Sequence, residues 1–122
     1  MTEDPAHDRR IALCRSLIAI RKAVGDSFGF TLCPNPVWDM LLDLYLAHHE
    51  QRDLYLWPLC IAANAPLSTA HRKISEMEKQ GLVVRRMHEQ DRRRVGVELT
   101  EYSMATITLL LDRIDTVCHG VG

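Results

Sequence analysis

The residues best suited to chemistry lie between Ser68 and Arg94, and their chemistry is the binding of an anion rather than the breaking of a bond. Arg92, Arg93 and Arg94 are consecutive cations that cannot all be buried, and Asp91 precedes them as an acid placed to orient an arginine. Ser68 and Thr69 can donate to phosphates or bases. Arg72, one helical turn on, carries a guanidinium that suits guanine through paired hydrogen bonds, with His71 and Lys73 beside it. Other candidates are weaker. On a helix the side chains of His48 and His49 diverge by about 100°, so they do not readily share a metal and read as helix-surface residues. Cys118 beside His119 admits a reactive thiol, but no resolving partner is obvious. Cys14, Cys33 and Cys60 are widely spaced and read as reduced structural residues. No nucleophile, base and orienting acid fall in a recognisable motif, and no glycine-rich phosphate loop is present. The reading is therefore a non-enzyme with no cofactor and no metal.

The elements that must position these residues are mostly helices. Ile11 to Val24 has apolar residues at Leu13, Leu17, Ile20 and Val24, with Ile11, Cys14 and Ile18 on an adjoining line. Gly25 to Cys33 reads as a connector. Asn35 and Pro36 then start a helix through Trp38, Leu41, Leu42, Leu44, Tyr45 and His48 to about Glu50. Leu54 to Leu56 reads as a short strand, and Pro58 as the start of a helix through Ala63. After the turn Asn64, Ala65 and Pro66, the pattern predicts a recognition helix over Leu67 to Gln80. Ala70, Ile74 and Met77 face inward; Thr69, His71, Arg72, Ser75, Glu76 and Lys79 face outward. Gly81 suits the left-handed residue that ends a helix, and Leu82 is then placed to touch Met77. Leu82 to His88 and Val95 to Thr100 read as strands around a basic tip, and Thr100 as the cap of a last helix with Met104, Ile107, Leu111, Ile114 and Cys118 on one face.

These readings assemble into one domain: mainly α with a small β hairpin, a winged helix-turn-helix core at 36–100 flanked by terminal dimerisation helices at 8–25 and 101–118. A chain of 122 residues, 47% of them hydrophobic, can bury one core without staples. The formal net charge of −1 argues against a nucleic-acid partner until it is divided by segment. Pro66 to Thr100 holds eight cations and five anions, a balance of +3, leaving −4 elsewhere. Met1 to Arg10 is polar, unlike a secretory signal, and no apolar run is long enough for a membrane span, so the cytoplasm is the default compartment.

Two short helices joined by a tight turn and followed by a basic hairpin suit duplex DNA. The second helix fits the major groove, and the hairpin reaches the adjacent minor groove or its phosphates. The run Ser68, Thr69, Arg72, Ile74, Met77, Glu78, Gly81, Leu82, Val83 and Arg85 resembles the recognition helix and wing entry of MarR-type winged-helix transcription regulators. Asp91, Arg93, Val97, Leu99 and Thr100 are similar to that family's wing signature. The resemblance covers roughly Val37 to Ser103 and departs from the family at Ser103, where glycine is usual. It implies a minor-groove arginine at Arg93, recognition-helix contacts at Ser68, Thr69, His71 and Arg72, and a homodimer joined by its terminal helices on a palindromic site. The resulting expectation is a repressor that binds an inverted repeat in double-stranded DNA.

Bland alternatives stand beside each of these. The charge run can be a solvated hairpin, Arg72 can pair with Glu76 four residues on, and the terminal stripes can pack on the domain's own core. Trp38 and Trp57 read as core rather than as a ligand platform. A pocket between the terminal helices and the winged domain would allow control by a small-molecule effector. The competing function is a winged-helix protein-interaction module without sequence-specific DNA binding, since a fold alone does not fix function.

Overall fold

The computed structural model describes residues 4–87, 90–91 and 94–120, so Arg92 and Arg93 lie outside the described residues. Helix α1 (Pro5–Phe28) outruns the stretch 8–25 marked by its apolar stripe. Its start is set by Asp4, whose carboxylate accepts the Ala6 N–H at 3.0 Å, with Pro5 in the first turn. A cap of that kind carries no apolar signal. Gly25, expected to open a connector, is instead helical and buried. A Cβ there would overlap the ring of Phe30, which folds back over the helix, and the chain turns only at Gly29, where φ is +87°.

Helix α2 (Pro36–His49) begins where the Asn-Pro pair predicts, but the Asn35 side chain makes no capping bond. Its carbonyl accepts the Asp39 N–H at 3.0 Å instead. Helix α3 (Leu56–Ala62) starts at Leu56 rather than Pro58, which its first turn tolerates because amides there lack an intrahelical acceptor. The strand expected at Leu54 to Leu56 contracts to one bridge, Tyr55 opposite Gly96, with the Val97 N–H donating to the Leu54 carbonyl at 2.9 Å.

Asn64 adopts φ +54° in the turn before α4 (Leu67–Lys79), and Gln80 is the C-cap of α4 rather than part of it. The helix ends as the sequence predicts. Gly81 has φ +75°, and the Leu82 N–H reaches the Met77 carbonyl at 2.9 Å. Strands β1 (Val83–Met87) and β2 (Val95–Leu99) pair antiparallel, with Val83 opposite Leu99 and Met87 opposite Val95. Helix α5 (Glu101–His119) completes the order. Thr100 joins three elements: its hydroxyl donates to the Gly81 carbonyl at 2.7 Å and accepts the Ser103 N–H at 3.2 Å, while its own N–H donates to Leu82 at 3.1 Å.

The core has two parts, and α2 is the wall between them. Met40, Leu44 and Ala47 pack with Leu59, Ala70, Ile74, Met77, Val83 and Val97 beneath the helix-turn-helix and hairpin. Leu42 and Tyr45 pack with Cys14 of α1 and Ile107 and Leu111 of α5. The terminal helices therefore spend their inner lines inside the chain. The adjoining line through Cys14 is the more deeply buried one of α1, whereas Ile20 is 57% exposed. On α5, Tyr102, Leu109 and Val117 face outward, as does Cys118, which the apolar stripe had placed inward.

Helix α1 is fastened by two arginines. Arg10 grips Asp112 of α5 with both carboxylate oxygens, at 2.8 and 2.9 Å. Arg21 grips Asp39 of α2 at 2.7 and 3.0 Å and also donates to the Cys33 carbonyl at 3.0 Å. Asn64 completes this second group by donating to Asp39 at 3.2 Å, so the turn before α4 is tied to α1 through one buried carboxylate.

Thr100→Ala removes both the α5 cap and the bond to Gly81, and urea unfolding should show a loss of about 1–2 kcal/mol. Thr116, an exposed residue within α5, is the control. A Thr100→Ala loss no larger than that of Thr116→Ala would show that the junction contributes little.

Candidate nucleic-acid interface

Helix α4 is oriented by three side chains. Ala70, Ile74 and Met77 are at most 2% exposed and press on the core. At about 100° per residue the opposite line carries Ser68, Arg72, Ser75 and Lys79. Ser68, His71 and Arg72 are exposed, with His71 on one flank of that line and the half-buried Thr69 and Lys73 on the other. Glu76 pairs with Lys73 at 3.3 Å, not with Arg72 as the spacing had allowed. Lys73 is thus engaged within its own helix. Lys79, read only as an outward residue, stands on the same line as Arg72.

The start of α4 is left open. Pro66 is its N-cap and supplies no side-chain acceptor, and the first helical bond runs from the Ala70 N–H to the Pro66 carbonyl at 2.9 Å. The amides before Ala70 therefore point forward beside the hydroxyls of Ser68 and Thr69, which suits an anion.

The hairpin places a second group of cations alongside. Arg86 is exposed and pairs across the strands with Glu98 at 3.1 Å. Arg94, also exposed, lies 3.6 Å from the Asp91 carboxylate and 5.6 Å from the centre of the Tyr55 ring. The tip turns through a bond from the Arg94 N–H to the Asp91 carbonyl at 3.0 Å. Asp91 thus lies beside an arginine, as its place in the sequence suggested. The contacts expected of Arg92 and Arg93 fall outside the described residues.

One interaction escaped the sequence. Ser75, expected to face outward, is half-buried and accepts a hydrogen bond from Arg85 of β1 at 2.9 Å. In the sequence Arg85 stands only as one of the hairpin's cations and as part of the family-like run. Its signal, an arginine two residues into a strand with a serine and an acid on the preceding helix, is visible only once β1 is known to lie along α4.

The remaining candidates separate. His48 is exposed, but His49 is half-buried, its ring centroid 4.7 Å from His7, 4.5 Å from Tyr45 and 5.0 Å from His48. The surface reading fails for His49 because α1 extends far enough to cover it. Its Nε2 is buried without a hydrogen-bond partner. Burial first, and then His7, His48 and Arg10, hold its pKa below the usual histidine value. Cys14 is buried, donates to the Leu42 carbonyl at 3.3 Å, and has its thiol pKa pushed up to about 12 by desolvation. Trp38 packs against the terminal-helix cluster, whereas Trp57, expected in the core, is 60% exposed on α3 with Ile61 and Leu67 nearby in sequence and also exposed. A cavity of about 310 Å³ lies among α1, α2 and α3, lined by Ile18, Arg21, Phe30, Asp39, Ile61 and Asn64. This is the region between a terminal helix and the winged domain where an effector pocket was expected.

No family model and no curated protein matches the chain. Solved structures do. A MepR–DNA complex from Staphylococcus aureus superposes with a TM-score of 0.60 at 21% identity, over 84% of this chain and 82% of that one. The heme sensor PefR from Streptococcus agalactiae, in complex with heme, gives 0.55 at 18% identity over 98% and 81%. A MepR mutant from a multidrug-resistant S. aureus clinical isolate gives 0.53 at 23% identity, over 68% of this chain and 61% of that chain's length. These are MarR-family winged-helix regulators. The chain has their winged-helix fold. In its terms α3 and α4 are the two helices of the helix-turn-helix, and the β1–β2 hairpin is the wing. No helix among the described residues is long and apolar enough to cross a membrane.

The histidine junction gives a pH test. Because the folded state holds the His49 pKa below its free value of 6.5, the unfolded chain binds the extra proton first. This contribution to stability is complete above that value and is lost as pH falls from there through the lower folded pKa. Urea midpoints should therefore drop between about pH 7.5 and 5.5, and His49→Gln should flatten that drop. An unchanged slope in the variant would assign the pH dependence elsewhere.

Proposed function

We propose that this chain is a sequence-specific regulator of transcription that binds double-stranded DNA, a cytoplasmic homodimeric repressor with α4 in the major groove and the wing at the minor groove. The observation that carries the reading is the outer line of α4. Ser68, Arg72 and Lys79 stand on a polar, exposed face beside a basic wing, and the helix start has no side-chain cap. Arg72 is the side chain for a guanine edge, Ser68, Thr69 and His71 contact bases or phosphates, and Lys73 contacts phosphate after leaving Glu76. Arg93 enters the minor groove and Arg92 and Arg94 meet its phosphates, with Asp91 orienting the group. The DNA in the MepR complex supports a DNA partner for this fold. The cavity lined by Arg21 and Asp39, together with the heme held by PefR, supports a small-molecule effector.

Dimerisation rests on the apolar residues left outside the two cores. Tyr102, Leu109 and Val117 of α5 and Ile20 of α1 remain exposed although these helices already pack on α2. A two-fold dimer of this kind reads an inverted repeat with half-sites about one helical turn apart. Sedimentation equilibrium should give a dimer for the parent chain and a monomer for Leu109→Asp combined with Val117→Asp. A dimer that survives both changes would place the interface elsewhere.

The DNA reading is tested by selection from random duplexes at two salt concentrations. Enrichment of an inverted repeat, with affinity falling as salt rises, is the expected result. Arg72→Ala should cost about 1–3 kcal/mol and relax the preference at one position, while Arg93→Ala should weaken all sequences alike. Failure to enrich any sequence would favour the protein-interaction module, for which the exposed Trp57 and Ile61 of α3 supply an apolar contact.

A further inference from the structure

The wing is a hairpin of only two strands, and such a unit has little stability of its own. Its β2 edge is docked by backbone: Val97 bonds to Leu54, and Gly96 bridges to Tyr55. Among the described residues the outer edge of β1 has no strand neighbour. Docked along one edge, a hairpin can pivot about it. At its start β1 is held by the burial of Val83 and by the Leu82 bond to Met77, and further along the strand the side-chain tie to α4 is Arg85. Its Nη2 donates to Ser75 Oγ at 2.9 Å and its Nε lies 3.3 Å from Glu78 Oε1, at ion-pair distance without hydrogen-bond alignment. Ser75 and Glu78 are successive turns of α4, so one planar guanidinium spans both. The arginine side chain is only 28% exposed, against 68% for its neighbour Arg86, which pairs within the hairpin.

We infer that Arg85 is a positioning residue that sets the angle of the wing against the recognition helix through Ser75 and Glu78. This rests on the DNA-binding reading for its consequence. Two linked contacts bind tightly only when both can be made without rearrangement, because the first then presents the second at high effective concentration. A wing free to pivot would leave α4 able to dock while the tip misses its groove. Arg85 acts without touching DNA, which separates it from Arg72 and the arginines of the wing tip.

The test has one arm on the protein alone and one on DNA. In the free protein, Arg85→Met should accelerate amide hydrogen exchange in residues 83–87 and 95–99 by about tenfold while leaving α2 and α5 unchanged. On the duplex selected by the parent protein, the same change should lower affinity by about tenfold. Hydroxyl-radical footprinting should then lose the minor-groove protection and keep the major-groove protection. Arg85→Glu should be weaker still, and combining it with Glu78→Arg should rescue binding to within about threefold of the parent. Unchanged exchange in Arg85→Met would overturn the positioning role. So would a charge swap no better than Arg85→Glu, which would mean that Arg85 meets phosphate directly. If the parent protein selects no duplex, the DNA reading has failed by itself, and the exchange arm still decides whether Arg85 holds the wing.

Discussion

Burial of α2 on two sides is the constraint from which the rest of the arrangement follows. Met40, Leu44 and Ala47 must be covered by the helix-turn-helix and wing, and Leu42 and Tyr45 by the terminal helices. A helix apolar on both sides cannot sit at the surface, so the two terminal helices are drawn to one face and the segments between α2 and α5 to the other. Helix α4 is thereby fixed with Ala70, Ile74 and Met77 inward, and its polar line has no direction left but outward.

Charge is arranged locally rather than in bulk. A net charge of −1 conceals a basic face whose cations are largely engaged: Lys73 with Glu76, Arg85 with Glu78, Arg86 with Glu98, and Arg94 near Asp91. Exposed pairs of this kind contribute little to stability and exchange readily. The Arg85 pair differs because it joins the hairpin to α4.

The terminal helices show the same economy of surface. Each gives its deepest residues to α2 and leaves other apolar side chains outside, Ile20 on α1 and Tyr102, Leu109 and Val117 on α5. The carboxylate of Asp39 links this layer to the turn before α4 through Arg21 and Asn64. Separating an ion pair so buried leaves an uncompensated charge, so α1 and the helix-turn-helix turn are held in register. The cavity among α1, α2 and α3 lies against this same group.

The sequence by itself determined what is encoded by neighbours in the chain. The order of helices and hairpin, the inward face of α4, the left-handed Gly81 with its Leu82 to Met77 bond, and the Thr100 cap were all legible, because periodicity and capping act within a few residues. The outward placement of Ser68 and Arg72 was legible for the same reason. Tertiary structure alone decided which charges pair, which of two apolar lines on α1 turns inward, that Gly25 is helical beneath Phe30, that His49 is covered, and that Ser75 faces the wing. These outcomes depend on which distant segments touch. No local period carries that information, since the same exposed-looking serine or histidine is buried or free according to the element packed beside it.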